Sequence, residues 1–527
     1  MKNSDLLKEI VSIASVTETP GESRVEEFIR DEMSGFAYFK QNPDLFGLEA
    51  IPGDKHGRGV NWGLVKGGSK ETIIMINHHD VVATEDYGTL KEFAFDTDEL
   101  ARRMAEAPGG QSQKKDLQTR EWMVGRGTAD MKAGLVIQLE ALKRYSEKQS
   151  RGVNLLYLSV PDEENASLGM RYGTVFIDKL KELHSLDYIL AVNSESHERK
   201  DSGSPIIHTG SAGKFMLCVH VKGKQAHLGE VLKGFNPLRL LSRIAVHTDI
   251  NFDLSDGGLS QLVPPPGWSY LRDNKPHYDA SIPDSASGLF CFLSAKASAE
   301  QMLYAAKGRI EEIAREDMAQ HLEAVLSNRT REGGPQDTVA TLLYSELLAQ
   351  AEAVRPGTAQ EERERLFQAA GRGDASYFDA TRDSIQRLTE YVNFEYPVVV
   401  LAVVPPYYPA VTSGLDQAYN QLLSHLSQKF HTVEEPFYLG ISDLSYVTRG
   451  SQDDSRILKE NMPLWDHRIY SIAFEILNNY HLDILNIGPW GKDLHQPSER
   501  VYIPDVDETI PKIYEELIES FNAKIAR

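Results

Sequence analysis

Five residues of types that bind metal ions stand just past predicted strand ends or at the start of a predicted helix. They comprise two imidazoles and three carboxylates, which is the ligand set for a pair of zinc-like ions that share one bridging carboxylate. A further glutamate, Glu163, stands beside one of them. This pattern predicts a metal-dependent hydrolase. The five residues are His78 in TIIMINHHDVV, Asp130 in GRGTADMKAG, Glu164 in LLYLSVPDEEN, Glu195 in YILAVNSESHE and His495 in ILNIGPWGKDLHQP.

The segment around His78 predicts a support for that ligand as well. Residues two apart in a strand face the same side, so Asp80 lies on the side of His78. A carboxylate there can accept the second ring N–H of a metal-bound imidazole and fix its tautomer. His79 then points to the opposite side and is interpreted as a structural residue. Taken alone, the H-x-D triplet also fits an ordinary polar strand end.

Three adjacent carboxylates follow the apolar run LLYLSV, from Asp162 to Glu164. Because they repel one another at the mouth of a buried strand, a cation there would stabilise them. Taken alone, the triplet also fits a solvated turn, but its position together with the other four ligands favours a metal site. Glu163 is not needed as a ligand. It can take a proton from a water between the two ions and hand it to the leaving nitrogen.

The elements that must position these residues are those of an α/β domain. Residues 1 to about 209 alternate short apolar runs with helical periodicity, which is typical of a mostly parallel sheet wrapped by helices. The predicted strands are 72–77, 154–160 and 188–193, and the predicted helix 131–145 places Asp130 at its start. In open parallel sheets, ligands collect beyond the carboxyl ends of the strands. The acidic and histidine segments are therefore expected to form one site.

From about residue 210 the pattern changes to that of a small inserted domain. Strands at 213–223, 289–295 and 396–404, an irregular strand at 258–272, and helices at 237–246 and 299–324 give the order β-α-β-β-α-β, an open-faced sandwich. We predict this lid at 210–410, with a polar helical insertion at about 327–395. The first domain, 1–209, then resumes at 411–527 and is discontinuous.

Composition excludes several other classes of protein. With 527 residues the chain is too long for one core. It has 56 Lys and Arg against 77 Asp and Glu, a net charge of −21, so neither nucleic acid nor a membrane surface is an expected partner. Its two cysteines, Cys218 and Cys291, lie in apolar runs, so no disulfide framework is expected. No signal peptide or membrane span is predicted, and the expected location is the cytoplasm.

Six segments occur in an order that resembles one enzyme family across nearly the whole chain. They are HHDVV, GRGTADMKAG, DEE, a single acidic residue after the next strand, GKQAHLG and a C-terminal GP…HQPSE. The family is that of the di-zinc amidohydrolases and exopeptidases, peptidase family M20, which includes aminoacylase, acetylornithine deacetylase, succinyl-diaminopimelate desuccinylase and glutamate carboxypeptidase. NHHDVV, PDEENASLGM and the long insertion are most similar to its arginine-utilisation branch. The resemblance implies a zinc-exopeptidase-like catalytic domain with a dimerisation-type lid.

The resemblance also implies roles for the ligand set. Asp130 would bridge two divalent metal ions, with His78 and Glu195 completing one ion and Glu164 and His495 the other. Glu163 would be the general base. The role of Asp80 remains the one derived above, to accept the second ring N–H of His78. Zinc is the expected metal, with cobalt and manganese as alternatives.

Further residues of the lid and the C-terminal part are implied to meet the substrate. His227 in GKQAHLG resembles the family histidine that polarises the scissile carbonyl, often from the partner subunit, so a homodimer through the lid is expected. Asn236 in GFNP occupies a lid position where relatives often place an asparagine. Ser442 and Asp443 in GISDLSY resemble the substrate-side loop. The lid strand lacks the arginine with which relatives bind a substrate carboxylate, and only Lys296 lies near.

The expected activity is hydrolysis of an amide or peptide bond in a small N-acyl amino acid or short peptide, in amino-acid catabolism. Three alternatives stay open. A different di-zinc aminopeptidase or dipeptidase has the same catalytic core, but the GKQAHLG segment argues against it. A binding protein that retains the fold is disfavoured because Glu163 is present. A single-metal enzyme is disfavoured by the full ligand set.

Overall fold

The computed structural model describes residues 2–107, 110–199, 203–327, 338–372, 375–414, 417–450 and 452–525. The chain divides into two compact units. The first unit comprises Met1–Ser211, Val411–Gly450 and Ala473–Arg527, and the second unit comprises Ala212–Ala410 and Ser451–Ile472. Within the described residues, no helix is both long and apolar enough to cross a membrane.

The helices of the described chain are α1 (Asn3–Val11), α2 (Pro20–Ser34), α3 (Ala37–Gln41), α4 (Thr97–Glu106), α5 (Gln111–Thr119), α6 (Ala133–Glu147), α7 (Leu168–His184), α8 (Pro237–Thr248), α9 (Ala299–Ser327), α10 (Tyr344–Val354), α11 (Thr358–Arg372), α12 (Tyr377–Val392), α13 (Gln417–Phe430), α14 (Ser455–Asn461), α15 (Phe474–Leu477) and α16 (Ile510–Ile525). The strands are β1 (Phe46–Ala50), β2 (Gly59–Val65), β3 (Glu71–His78), β4 (Trp122–Val124), β5 (Asn154–Val160), β6 (Asp187–Asn193), β7 (Ile206–His208), β8 (Gly210–Ser211), β9 (Gly213–Lys222), β10 (Ala226–His227), β11 (Gly267–Asp273), β12 (Ser281–Ile282), β13 (Ser285–Ser294), β14 (Ala340–Leu343), β15 (Val398–Val403), β16 (Val411–Thr412), β17 (Val433–Glu435), β18 (Asp483–Asn486), β19 (Gly491–Lys492) and β20 (Arg500–Tyr502).

An eight-stranded sheet forms the centre of the first unit, in the order β1-β2-β5-β3-β6-β18-β7-β17. The four central strands β5, β3, β6 and β18 are parallel, whereas β1 and β2 pair antiparallel at one edge. All seven residues of β5 are buried, as expected for a strand that is covered on both faces. The three predicted strands coincide with β3, β5 and β6, and the prediction of an α/β fold with a mostly parallel sheet is confirmed.

Helix α6 packs against this sheet with the periodic face that the sequence predicts. Leu135, Leu139 and Leu142 are buried in one core cluster together with residues of α1 and α16. The helix begins at Ala133 rather than at Met131, because the preceding Thr128–Lys132 forms an irregular turn with non-helical backbone at Asp130. Asp130 therefore lies in the turn that leads into α6.

The second unit has a five-stranded sheet in the order β11-β13-β9-β15-β14. Strands β9, β11, β13 and β15 with helices α8 and α9 follow the predicted β-α-β-β-α-β order. The irregular strand predicted at 258–272 is shorter, because residues Phe252–Gly258 form 3₁₀ turns and the extended segment begins only at Gly267.

The insertion covers the face of this sheet that the predicted open-faced sandwich would leave bare. Helices α10 and α12 form a core cluster with β9 and β15, in which Leu347 and Ile385 meet Cys218 and Val400. Helices α8 and α9 belong to the predicted motif, and α8 packs on β9, β11 and β13. The insertion also contributes β14, a strand missing from the sequence prediction, which extends β15 in parallel register. Residues 328–337 of the predicted insertion lie outside the described residues.

Residues Ser451–Ile472 group with the second unit, although the sequence prediction placed them in the first domain. Two side chains of this segment explain the grouping. The Asp454 carboxylate accepts the N–H of Ala299 at the start of α9, at 2.8 Å. The Asn461 carbonyl accepts the N–H of Ser345 in α10, at 3.2 Å. The segment therefore caps helices of the second unit.

Candidate metal centre

Three of the predicted ligands lie at the carboxyl ends of adjacent parallel strands. His78 ends β3, Glu164 follows β5 and Glu195 follows β6, and β3 lies between the other two strands. Because parallel neighbours end at the same edge of a sheet, the three side chains converge. All three are withdrawn from solvent, with side-chain exposures of 1% for His78, 6% for Glu164 and 3% for Glu195.

The other two ligands are brought to this edge by a separate three-stranded sheet, in the order β19-β20-β4. Asp130 follows β4, and His495 lies in the connection between β19 and β20. Pairing of β20 with β4 therefore joins chain segments that are more than 360 residues apart. His495 is the most exposed of the five, at 52%.

Asp130 occupies the centre of the group and presents one oxygen to each histidine. Its Oδ1 lies 3.1 Å from His78 Nε2, and its Oδ2 lies 3.1 Å from His495 Nε2. His78 Nε2 is also 3.4 Å from Glu195 Oε1, and His495 Nε2 is 3.1 Å from Glu164 Oε2. The five residues thus form two pairs on either side of one shared carboxylate.

The charges of this group fit a site for cations. Burial and the charge of Asp130 raise the pKa of both Glu164 and Glu195 to about 7. Hydrogen bonds with Asp130 and Glu164 raise the pKa of His495 to about 11. Burial alone would lower the pKa of His78, but the negative charge of Glu195 and the neighbouring carboxylates raise it well above its ordinary value. The metal-free form therefore offsets its carboxylates with protons on the imidazoles, which metal ions would displace.

Two oxygens of the group are also left for a further partner. Glu164 Oε1 and Glu195 Oε2 are buried and accept no hydrogen bond from the described part of the chain. A buried carboxylate oxygen without a donor is costly unless a cation or a donor completes it. His78, Asp130 and Glu164 alone place three ligand atoms within 4.8 Å of one another. The residues present therefore fit the implied pair of metal ions.

Asp80 lies beside His78 as predicted, but its backbone makes the shorter contact. His78 Nδ1 lies 3.0 Å from the backbone carbonyl oxygen of Asp80 and 3.6 Å from its carboxylate Oδ1. The carbonyl is thus the hydrogen-bond acceptor that fixes the imidazole. The carboxylate instead accepts the backbone N–H of Glu163 at 3.0 Å and of Glu164 at 3.2 Å, and the hydroxyl of Thr17 at 2.8 Å. It therefore holds the loop that follows β5.

Glu163 lies beside the ligand set with a carboxyl group that tends to keep its proton. Burial raises its pKa well above the ordinary value, and the charges of Asp443, Glu164 and Glu195 raise it further, whereas that of His78 lowers it. The neighbouring His79 is fully buried, and its Nδ1 lies 3.1 Å from the Ser159 hydroxyl. It has the structural surroundings that the sequence indicates.

A family model described as Peptidase family M20/M25/M40 matches residues 77–457, which is more than half of the chain. The chain belongs to peptidase family M20. Two proteins of Bacillus subtilis (strain 168) are similar over nearly all of their length. YqjN is 31% identical over 521 residues, covering 96% of this chain and 94% of its own. Protein RocB is 29% identical over 546 residues, and the match covers 99% of this chain and 95% of RocB.

Solved structures of M20 proteins share the fold. The M20 family metallo-carboxypeptidase Sso-CP2 from Sulfolobus solfataricus aligns with a TM-score of 0.54 at 12% identity, covering 99% of this chain and 100% of that chain. Membership in M20 and this likeness confirm the resemblance read from the six sequence segments. They identify the chain as a metallopeptidase-type hydrolase of this family.

The predicted ligand positions are supported by buried residues that the sequence analysis did not single out. The Glu499 carboxylate accepts the N–H of Ala129 at 3.0 Å and of Asp130 at 3.1 Å, and pairs with the Arg126 guanidinium at 2.8 Å. The Lys132 ammonium donates to the carbonyl of Ile13 at 2.7 Å. Glu499 ends the segment HQPSE and Lys132 lies in ADMKAG. Their closeness in sequence to the predicted ligands His495 and Asp130 could have indicated that they support the site.

The predicted substrate residues have distinct surroundings. In the first unit, the Ser442 hydroxyl donates to the Ser211 hydroxyl at 3.0 Å. Asp443 is buried, and burial raises its pKa to about 8 although the charge of His78 acts to lower it. In the second unit, the Asn236 side chain caps α8 by accepting the N–H of Leu238 at 3.1 Å. His227 is exposed, and its Nδ1 accepts the N–H of Gly229 at 3.1 Å.

Proposed function

We propose that this chain is a di-metal hydrolase that cleaves an amide or peptide bond in a small N-acyl amino acid or short peptide. The observation that supports it most is the placement of Asp130, whose two oxygens each face a different histidine at 3.1 Å. A carboxylate between two imidazole–carboxylate pairs suits two cations that share it. Zinc is the expected metal, and cobalt and manganese suit the same donors.

In this proposal His78 and Glu195 would hold one cation, and Glu164 and His495 the other. Two divalent cations at such a site make water more acidic and polarise a carbonyl oxygen. The carboxylate of Glu163 would take the proton of the attacking water and deliver it to the leaving nitrogen. Its raised pKa in the metal-free form suits a group that carries a proton between two steps.

His227 is proposed to donate a hydrogen bond to the substrate carbonyl. Because its Nδ1 accepts the N–H of Gly229, the neutral ring carries its proton on Nε2. The Nε2–H is then the donor that a developing oxyanion requires.

We further propose that the active form is a homodimer through the second unit. Strand β14 of the insertion pairs with β15 and occupies that edge of the sheet, which leaves β11 as the edge strand formed by the lid motif itself. Exposed apolar side chains on or near it include Leu271, which is 39% exposed, and Tyr278, which is 92% exposed. An edge strand with apolar neighbours suits isologous pairing with a second copy.

Asp443 is the strongest of the proposed substrate contacts in the first unit. The hydroxyl of Ser442 is engaged by Ser211, whereas the carboxylate of Asp443 lies close enough to His78 and Glu195 for their charges to shift its pKa. The resemblance of NHHDVV, PDEENASLGM and the long insertion to the arginine-utilisation branch supports a role in amino-acid catabolism, with arginine utilisation as its proposed setting.

The test combines metal analysis with a hydrolysis screen. Protein purified without chelator should contain about two metal equivalents per chain and hydrolyse a member of a panel of N-acyl amino acids and dipeptides. Glu163→Gln should keep both equivalents and lose at least ~10²-fold in rate. The matched control Glu198→Gln changes an exposed glutamate that follows the proposed ligand Glu195 closely in the sequence and should retain full activity.

Two results would contradict the proposal. Loss of metal together with activity in Glu163→Gln would make Glu163 a ligand and not the base. A protein that holds two metals yet cleaves no member of the panel would have another substrate class.

A further inference from the structure

A buried guanidinium lies beneath the loop that carries Glu163 and Glu164. Arg58, immediately before β2, has a side-chain exposure of 2% and contacts three carboxylates. Its Nη1 donates to Asp162 Oδ1 at 2.9 Å and to Glu22 Oε2 at 3.1 Å, and its Nη2 donates to Asp54 Oδ1 at 2.8 Å. None of these three carboxylates belongs to the metal-ligand set.

Asp162 transmits this contact to the loop, because it directly precedes Glu163. One carboxylate oxygen accepts from Arg58, and the other accepts the N–H of Leu168 at the far end of the loop, at 3.1 Å. The N–H of Asp162 itself donates to Glu22 Oε1 at 3.1 Å. Its backbone has φ = 68°, in the left-handed region that a residue with a side chain seldom adopts. Such a conformation persists only where its surroundings enforce it.

The loop is also held by Asp80, which accepts the N–H groups of Glu163 and Glu164. The side chains of Glu163 and Glu164 thus project from a backbone that is fixed by two carboxylates, that of Asp80 and the arginine-bound one of Asp162. We propose that Arg58 is a positioning residue that acts through Asp162 and Glu22 to aim Glu163 and Glu164 at the metal centre. This inference rests on the roles proposed above for those two glutamates.

The geometry requires an arginine at this position. A planar guanidinium presents donors in several directions at once and can join three carboxylates, whereas a lysine ammonium is a compact point charge. Arg58→Lys should therefore still offset part of the charge of the three carboxylates, but it should hold the loop of Glu163 and Glu164 less well in position. Arg58→Gln should lose both.

The first measurement is amide hydrogen exchange in metal-free protein, followed in peptides that cover 162–168 and 128–132. Arg58→Gln should speed exchange in the peptide 162–168 at least ~10-fold and leave exchange in the peptide 128–132 unchanged, because the contacts of Arg58 fix only the loop after β5. Arg58→Lys should give an intermediate rate. Asp162→Asn, which keeps the arginine but weakens its grip on the loop, should reproduce the pattern if Arg58→Gln fails to fold.

The second measurement is a cobalt(II) titration followed by visible absorption. In Arg58→Gln, one of the two cobalt equivalents should bind ~10- to 100-fold more weakly, the usual effect of losing a partner that orients a ligand. The other equivalent, held by His78 and Glu195, should keep its affinity and spectrum. The matched control is Val25→Ala in α2, a buried apolar residue on the same helix as Glu22. It should lower stability without distinguishing the two loops or the two metal equivalents.

Exchange of 162–168 at the wild-type rate in Arg58→Gln and Asp162→Asn would overturn the inference. So would equal acceleration of both peptides, or weakening of both cobalt equivalents alike, since those are effects of general destabilisation. A wild-type protein that binds fewer than two cobalt ions would count against the proposed function instead. The exchange experiment needs no metal and still decides whether Arg58 holds the loop.

Discussion

Substitution of Asp80 by asparagine distinguishes the role that the sequence suggests from the one that the structure shows. If the carboxylate served to accept the second N–H of His78, an amide oxygen could replace it. In the structure the carbonyl of Asp80 accepts that N–H, while the carboxylate accepts from Glu163, Glu164 and Thr17. Asp80→Asn therefore leaves the imidazole supported and disturbs the loop.

The size of the effect follows from how the donors are divided between the two oxygens. Oδ1 accepts from Glu163, and Oδ2 accepts from both Glu164 and Thr17. In either orientation the new amide nitrogen faces a backbone N–H, so at least one buried donor loses its acceptor. Such a loss costs about 1–3 kcal/mol, and the remaining bonds lose their charge assistance. We expect the free energy of unfolding of the first unit to fall by about 2 kcal/mol.

The assay is urea denaturation of metal-free Asp80→Asn beside wild type, with the midpoint compared at a common slope. Thr17→Val is the control, since it removes a neutral hydroxyl from the same carboxylate and leaves both backbone contacts intact. Asp80→Asn should also bind metal or turn over substrate about 10- to 100-fold less well, as expected for a lost loop support. If the free energy of unfolding of Asp80→Asn lies within about 0.5 kcal/mol of that of wild type and its metal affinity is unchanged, this account of Asp80 is refuted.

Three further predictions concern metal content, assembly and pH. His78→Ala and His495→Ala each remove an imidazole from a different pair, so each variant should bind about one metal equivalent fewer than wild type by elemental analysis. If both variants keep two equivalents, the ligands lie elsewhere. Mixing inactive Glu163→Gln with inactive His227→Ala chains should restore part of the hydrolysis if His227 acts across a dimer, whereas no recovery after verified subunit exchange would assign it to its own chain. Burial lowers the pKa of His220 to about 3, so the unfolded chain takes up this proton first as the pH falls. The second unit should lose about 1.6 kcal/mol of stability between pH 6.5 and 5. Denaturation at several pH values should show this slope in wild type and not in His220→Gln.

The strand-end ligands could be predicted because hydrophobic runs mark where strands stop. The predicted strand 154–160 coincides with β5 residue for residue. Once the strands are assigned, parallel pairing forces His78, Glu164 and Glu195 to one edge, and the sequence needs to supply only their types. Asp130 and His495 were also predicted from their types and from their places beside predicted elements. That both reach the same edge could not be read from spacing, because it depends on the pairing of β20 with β4, two segments far apart in the chain.

The supports of the site could not be predicted in the same way. Arg58 lies in GRGVNW, a polar stretch in which an arginine is expected to face water. Its burial results from three carboxylates that come from separate parts of the chain. The contact of Asp80 with Glu163 and Glu164 joins the backbone of one loop to the side chain of another, and side-chain periodicity carries no information on backbone partners.

The missed elements of the second unit have a similar explanation. Strand β14 has only four residues and runs directly into α10, so the helical pattern of TLLYSELLAQAEAV conceals it. Residues 451–472 have no extended periodic pattern that would assign them to either unit. Their grouping is decided by Asp454 and Asn461, two polar caps on helices elsewhere in the chain.

The covered face of the second sheet also gives the protein a chemical reporter. Both cysteines of the chain belong to the layer that α10 and α12 cover: Cys218 is fully buried, and Cys291 is partly buried at the margin. Because Cys218 is fully buried, a thiol reagent can reach it only when these helices lift away. The rate at which Cys218 is labelled, relative to that of Cys291, therefore measures how often the insertion opens, without any probe being introduced.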